Sequence, residues 1–433
     1  MGSTIHFVDG SNVRRILNYS RPVLRNEPVR TLLLENIHED AVTRLRSEGY
    51  DVETVSRALD EDELIERLDG VHLLGIRSKT QVTAKVLETA SELRAVGAFC
   101  IGTDQIDLGA AARVGIAVFN APFSNTRSVV ELAIAEIIAL TRRLTEKNAG
   151  MHAGIWDKAA EGSHEVRGRT LGIVGYGNIG TQLSVLAENL GMRVVFYDTA
   201  DKLALGNAHR CGTLDELLEL ADVVTLHVDG RPGNSGFFGE EQFARMRAGS
   251  LFLNLSRGFV IDHAALRRHL DSGHLAGAAV DVFPVEPKGR GDEFRSELRG
   301  LPNVILTPHI GGSTEEAQAD IGSFVAEKLY RYVMEGGTSL SVNLPSLALP
   351  LQSGTHRLAL VHHNVPGVLA EVNSILAAHS VNIEGQLLGT RGEVGYLLTD
   401  IGRDYPDEVL TKLRDLSQSI RLRVLPWRVA PQG

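Results

Sequence analysis

Three segments of this chain each end an apolar run with a side chain able to do chemistry: LFLNLSRG with Arg257, AVDVFPVEP with Glu286, and ILTPHIGGST with His309. An imidazole titrating near neutrality can take a proton from a hydroxyl and return it to a carbonyl oxygen. A carboxylate beside that ring orients it and favours its protonated form. A guanidinium grips a carboxylate through two parallel hydrogen bonds and polarises a neighbouring oxygen. The three types together suit interconversion of a hydroxyl and a carbonyl next to a carboxylate. Any one of them after a strand is usually a packing or surface residue. Their occurrence after successive strands of one half of the chain is what sets them apart.

That half opens with LGIVGYGNIGTQLSVLAENLGMRVVFYD. Gly175 permits a tight turn, Gly177 lets a pyrophosphate approach the backbone, and Gly180 allows the following helix to pack closely. The helix start offers free N–H groups to the phosphates. Asp198 ends the next strand, where a carboxylate accepts from adenosine ribose hydroxyls and repels a 2′-phosphate. The expected cofactor is therefore NAD; Lys202, four residues on, softens the preference over NADP. A glycine turn alone says little, but strand, turn, helix and acid occur here in order. In open α/β sheets ligands bind outside the carboxyl ends of the strands, so Arg257, Glu286 and His309 are expected to meet in one crevice there.

The elements needed to build that crevice are legible as alternating apolar runs and helical patterns. From Val29 to Asn120 they read TLLLE, EDAVTRLRSEG, DVETV, EDELIERLDG, VHLLGIRS and RAVGAF, a βα alternation that implies a parallel sheet covered by helices. Thr126 to Asn148, free of Gly and Pro, reads as one helix linking two lobes. A second βα series runs to His309, and a helix is expected from Thr314 to about Glu335. GGTSLSVNLPSLALPLQSG then reads as a hinge or linker. From about His356 the order strand, helix, strand, strand, helix, strand is the split ferredoxin-like unit. The expected division is an N-terminal arm at 1–24, a substrate lobe over 25–124, a nucleotide lobe over 125–311, a return and linker over 312–352, and a regulatory unit over 353–433. The arm, polar and carrying Pro22, reads as loosely ordered.

Bulk properties narrow the function classes. At 433 residues, 43% hydrophobic and 23% charged, the chain can bury several cores. Its formal net charge of -10 gives no overall field favouring nucleic acid or an anionic membrane, so an anionic substrate must be held by a local basic cluster. Two cysteines, Cys100 and Cys211, offer neither a disulfide framework nor a metal-ligand spacing and read as packing residues of a reducing compartment; no metal is expected. No leader or membrane span is apparent, and the cytoplasm is the expected location.

With GIRSKT, GAFCIGTDQIDL, VFNAPFSNTRSVVEL, GIWDK, GIVGYGNIGTQL, SRG, GAAVDVFPVEP and LTPHIGGSTEEAQ in place, the sequence resembles the D-specific 2-hydroxyacid dehydrogenases. Within them it is similar to the ACT-domain-bearing, phosphoglycerate-oxidising branch of bacteria and fungi, over about Thr31 to Trp427. The resemblance implies an α/β fold of two doubly wound parallel-sheet lobes, one Rossmann-type and one flavodoxin-like, with a C-terminal ferredoxin-like ACT domain. It implies NAD-dependent oxidation of 3-phospho-D-glycerate, with Arg257 and Glu286 assisting and His309 as the proton carrier. NAD is then expected against Asn178, Ile179, Asp198, Leu255, Ser256, Arg257, Asp281, His309, Ile310, Gly311 and Gly312, besides Gly175, Gly177 and Gly180. The phosphorylated substrate is expected against Arg77, Ser78, Asn125 and Lys158. The ACT module binds amino acids between paired copies, and the polar residues used by serine-inhibited relatives match His362, Asn364 and Asn382; a homotetramer is the family expectation. Two departures stand out: Leu255 where Ala is common, and HVDGRPGNSG, which places Asp229 where Pro is usual, near the expected nicotinamide ribose.

Three other readings compete. One is a reductase of glyoxylate, hydroxypyruvate or 2-oxoglutarate, because the trio is shared across the superfamily. The others are a non-enzymatic NAD-sensing scaffold on the same fold and a chain that is chiefly an amino-acid sensor.

Overall fold

The computed structural model describes residues 28–287 and 291–425. The expected arm at 1–24 and the end of the chain from residue 426 lie outside the described residues.

The first lobe runs β1 (Arg30–Leu33), α1 (Glu39–Ser47), β2 (Asp51–Thr54), α2 (Glu61–Arg67), β3 (Leu73–Ile76), α3 (Ala84–Thr89), β4 (Ala95–Ala98), α4 (Leu108–Arg113) and β5 (Ala117–Phe119). Its five parallel strands lie in the order β2-β1-β3-β4-β5, the flavodoxin-like winding. Period-2 alternation divides the strands between two cores. Leu32, Leu74, Val96 and Val118 face one set of helices, whereas Leu33, Leu73, Ala95 and Phe119 face the other.

The second lobe continues with α5 (Thr126–Thr141), α6 (Leu144–His152), β6 (Thr170–Val174), α7 (Asn178–Asn189), β7 (Arg193–Tyr197), β8 (His209–Arg210), α8 (Leu214–Leu220), β9 (Val223–Leu226), α9 (Glu240–Arg245), β10 (Ser250–Asn254), α10 (His263–Asp271), β11 (Leu275–Val280) and β12 (Val304–Leu306). All seven strands are parallel, in the order β12-β11-β10-β9-β6-β7-β8. The order reverses between β6 and β9, and the carboxyl ends of the strands there form the crevice of a doubly wound sheet.

The linking helix expected from Thr126 to Asn148 is two helices. The break falls at Arg143, which takes left-handed backbone (φ 50°) and pairs its guanidinium with Glu146 Oε2 and Oε1 at 2.6 and 2.9 Å. A local ion pair thus offsets a backbone conformation that costs roughly 1–2 kcal/mol. α11 (Glu315–Glu335) carries the chain back to pack on α1 and β4, with Thr314 capping its first turn by accepting from Ala317 N. The Ser128 and Thr314 hydroxyls are hydrogen-bonded at 2.9 Å, fastening the two crossings between lobes to each other.

β13 (Thr355–His363), α12 (Val368–Ala378), β14 (Ile383–Arg391), β15 (Val394–Gly402), α13 (Asp407–Arg414) and β16 (Ser419–Leu425) make an antiparallel sheet in the order β14-β15-β13-β16. One face is covered by α12 and α13. The other face, with Ala359, Val361, Tyr396, Leu398 and Leu425, shares a core with Tyr332, Val333, Leu344 and Leu347. The preceding segment, expected as a hinge or linker, is a linker strapped to the first lobe: Asn343 accepts from Val118 N at 2.9 Å and donates to Ile116 O at 2.8 Å, and Ser341 Oγ donates to Val118 O. Its Gly, Pro and Ser exclude a helix; buried Ser341 and Asn343 bond to Ile116 and Val118, and buried Thr338 bonds within the segment to Pro345 O and Leu347 N.

Candidate active site

The glycine turn is built as its residue types require. Gly175 has φ 93°, and a Cβ there would stand 2.5 Å from His227 O; one on Gly180 would stand 2.3 Å from Gly175 O. A Cβ on Gly177 would meet nothing within 4 Å, so this is the open side from which a pyrophosphate can approach Asn178, Ile179 and Gly180 at the start of α7. No side chain caps α7, which leaves its first N–H groups for a ligand. Asp198 accepts from Tyr176 N and Ala200 N, both at 2.8 Å, and lies in a recess with Tyr197, Thr199, Arg210, Cys211 and Gly212. A gap at Gly177, a free helix start and a ribose-side carboxylate fit NAD.

His309 sits three residues before Gly312 in a turn fixed by one buried carboxylate. Asp281, 2% exposed, accepts from Thr307 Oγ1 at 2.6 Å, Ile310 N at 2.8 Å and Gly311 N at 2.9 Å, and its carbonyl accepts from His309 N at 2.8 Å. His309 is thereby held in left-handed backbone (φ 54°), a strain typical of functional positions. Its Nδ1 is 2.9 Å from Glu286 Oε2, and Glu286 Oε1 accepts from Phe283 N. That hydrogen bond, opposed by burial and reinforced by the glutamate's charge, raises the His309 pKa above its ordinary value. Burial alone would raise Glu286, but the His309 hydrogen bond and charge outweigh it, and its pKa is lowered. The pair is an imidazole biased toward its protonated form with Nε2 left for a substrate.

Arg257 follows β10 in a turn organised by Asn254, whose side chain accepts from Ser256 N and Oγ and donates to Arg257 O. Leu255 is buried, with its side chain in the nucleotide-lobe core, so this departure is a packing residue. Asp229 is held by Arg231 through two contacts of 2.7 Å and accepts from Asn234; the Arg231 hydrogen bonds lower its pKa.

Across the crevice, Arg77 and Ser78 follow β3. Their loop is shaped by Glu35, 6% exposed, which accepts from Lys79 N at 3.0 Å and Thr80 N at 2.8 Å, and by Gln105 Nε2, which donates to Arg77 O at 2.5 Å. Asn125 caps no N–H of α5, its Oδ1 is buried without a partner, and a Cβ on Gly312 would stand 2.1 Å from its Nδ2. It joins the substrate lobe to the His309 turn. Lys158 is not brought to this group within one chain. It rides on an exposed arm rooted by His164 N to Thr141 O and Ser163 Oγ to Arg142 O, at the far end of α5, about 24 Å along a 16-residue helix from Asn125. Cys211 is buried and Cys100 half-buried, its thiol pushed up to about 11 by burial.

Glu35, Asn254 and Gln105 were not singled out from sequence. The signal available for Asn254 was a polar residue ending the apolar run LFLN; Glu35 likewise follows TLLL.

In the ACT-like unit, His362 is 3% exposed, with Nδ1 donating to His363 O at 2.8 Å and Nε2 buried without a partner. Asn364 donates to Gly392 O and Asn382 to Glu384 Oε1. Strand register sets His362 opposite Gly395, whereas Asn382 precedes Ile383 opposite Ile401. His362 and Asn364 therefore lie at one end of the sheet and Asn382 at the other.

Among comparisons with known proteins, a family model described as "D-isomer specific 2-hydroxyacid dehydrogenase, NAD binding domain" matches residues 134–311, and an "AHAS small subunit-like ACT domain" model matches 358–421. The chain is 48% identical to a protein of Dictyostelium discoideum named D-3-phosphoglycerate dehydrogenase over 399 residues, 92% of this chain and 98% of that one. It is 48% identical to the Escherichia coli K12 protein of the same name, over 93% of this chain and 98% of that one. Among solved structures, a D-lactate dehydrogenase from Aquifex aeolicus complexed with NAD and lactic acid superposes with a TM-score of 0.65 at 25% identity, covering 73% of this chain and 100% of that one. A glyoxylate reductase from Paecilomyes thermophila superposes with the same score at 26% identity, covering 73% of this chain and 99% of that one.

Proposed function

The chain belongs to the D-isomer-specific 2-hydroxyacid dehydrogenase family, and from that membership we propose that it oxidises 3-phospho-D-glycerate to 3-phosphohydroxypyruvate, the entry to L-serine synthesis. The observation that carries the reading is the 2.9 Å contact of His309 with Glu286 beside the glycine-turn crevice. When bound, NAD supplies the hydride acceptor. His309 takes the C2 hydroxyl proton at Nε2, Glu286 stabilises the imidazolium that results, and Arg257 holds the C1 carboxylate and polarises the C2 oxygen. Arg77 and Ser78 hold the phosphate end from the opposite lobe, with Asn125 at the junction of the two. The curated relatives named D-3-phosphoglycerate dehydrogenase at 48% identity, against 26% for a glyoxylate reductase, support this substrate over other 2-oxo acids.

The arm bearing Lys158 also exposes Met151, Ile155 and Trp156, the last at 78%. Uncovered apolar side chains of this size support self-association, with the arm seated on a second copy and its Lys158 reaching the partner's phosphate cluster; a tetramer is the proposed assembly. A pair of ACT units laid antiparallel brings His362 and Asn364 of one copy to Asn382 of the other, which makes L-serine the proposed effector. Among the described residues no helix is long and apolar enough to cross a membrane; the cytoplasm is the proposed location.

Steady-state NADH formation from 3-phospho-D-glycerate, with and without L-serine, tests the whole reading. Turnover that falls with millimolar serine is expected. Turnover of glyoxylate or hydroxypyruvate alone, or none at all, contradicts it.

A further inference from the structure

Asp104 lies in the loop after β4, on the substrate lobe, and its Oδ2 stands 3.6 Å from Nε of Arg257 on the other lobe. Two glycines admit this approach. A Cβ on Gly102 would stand 2.7 Å from Arg257 Nη2, and a Cβ on Gly230 would stand 3.3 Å from both Arg257 Nε and Asp104 Oδ2. The guanidinium thus fills a slot with one wall from each lobe. Among the described residues its side chain makes one hydrogen bond, Nη1 to Ser256 O at 2.9 Å. The second nearby carboxylate, Asp229, is occupied by Arg231. Asp104 is the acid facing the remaining N–H groups.

We propose that Asp104 is a positioning residue that stands in for the substrate carboxylate: it holds Arg257 across the crevice and yields it when a 2-hydroxy acid arrives. The separation exceeds hydrogen-bonding distance, so the contact is an ion pair without directional bonds. An incoming carboxylate replaces it with two parallel, charge-assisted bonds. Side-chain exposures of 28% and 65% place the pair in a screened setting, where ion pairs are weak. A weak internal partner keeps the guanidinium aimed yet costs substrate little to displace. The same competition applies to any small carboxylate, with or without a phosphate.

The inference rests on Arg257 being the carboxylate grip of the proposed reaction, and the test separates the two. Full-length Asp104→Asn and Asp104→Glu proteins are assayed with 3-phospho-D-glycerate and NAD, with oxalate as a phosphate-free carboxylate inhibitor. Asp104→Asn is expected to lower both the substrate KM and the oxalate inhibition constant about two- to fivefold, the scale of one exposed ion pair. The KM for NAD stays put, kcat changes by less than the substrate KM, and Asp104→Glu returns both constants toward wild type. Unchanged or raised constants in Asp104→Asn overturn the proposal while leaving the reaction intact. A wild-type protein that neither turns over substrate nor binds oxalate removes the reaction itself, and the proposal with it.

Discussion

At the scale of single residues, the proposed chemistry depends on how Glu286 biases His309. In the oxidation direction the imidazole must be unprotonated to take the hydroxyl proton, and the Glu286 hydrogen bond raises its pKa. The oxidation rate should therefore rise with pH along a limb placed above 6.5, and 2-oxo acid reduction should fall along the same limb. Glu286→Gln removes the charge that favours the imidazolium. The acid limb of kcat/KM is expected to move to lower pH, with a loss of about 10- to 100-fold, the size typical of a residue acting through its neighbour. A pH profile of kcat/KM in the wild type and Glu286→Gln checks this, and an unmoved limb counts against Glu286 as the group that tunes His309. His309, Glu286 and Arg257 were legible because each is a chemical type placed after a strand. Asp281, expected against the cofactor, turns out to hold the turn that aims His309, a task visible only once Thr307, Ile310 and Gly311 are seen converging on it.

At the scale of elements, α5 carries a penalty in its middle. Glu136 is 3% exposed, neither of its side-chain oxygens has a hydrogen-bond partner, and burial, helped by the charge of Asp281, pushes its pKa up to about 8. The folded state therefore binds a proton there that the unfolded chain has released above its ordinary value of 4.5. Stability should be lost as pH rises from about 4.5 to about 8. Glu136→Gln keeps the shape and removes the titration, so its melting temperature is expected to match wild type near pH 5 and exceed it at pH 8. Thermal melts across that range decide, and parallel curves for the two proteins contradict the assignment. Sequence periodicity found α5 but ran it through to Asn148, because nothing in TRRLTE marks a left-handed Arg143. The linker shows the same limit: its composition forbids a helix, yet only the sites on Ile116 and Val118 reveal it as a strap. Near-continuous apolar strands, by contrast, are a direct imprint of two-sided burial, and their alternation with helical patterns made the parallel lobes and the split βαββαβ unit legible.

At the scale of the molecule, the first lobe and the ACT-like unit share one apolar core. Arg357 and Asp400, 3% and 1% exposed, form a two-pronged ion pair at 2.7 Å, and the same guanidinium donates to Glu335 O, Leu349 O and Pro350 O. Tyr396 Oη donates to Gly336 O at 2.8 Å. These contacts join the ACT-like sheet to the end of α11, the helix whose start is fastened beside the His309 turn. The proposed reaction turns on His309 as its proton carrier. The most direct measurement is NADH formation from 3-phospho-D-glycerate by wild type and His309→Ala, with NAD binding followed separately. The expected result is turnover in the wild type, a loss of about 10²- to 10⁴-fold in the variant, and NAD affinity little altered. Equal turnover in the two proteins would contradict the account.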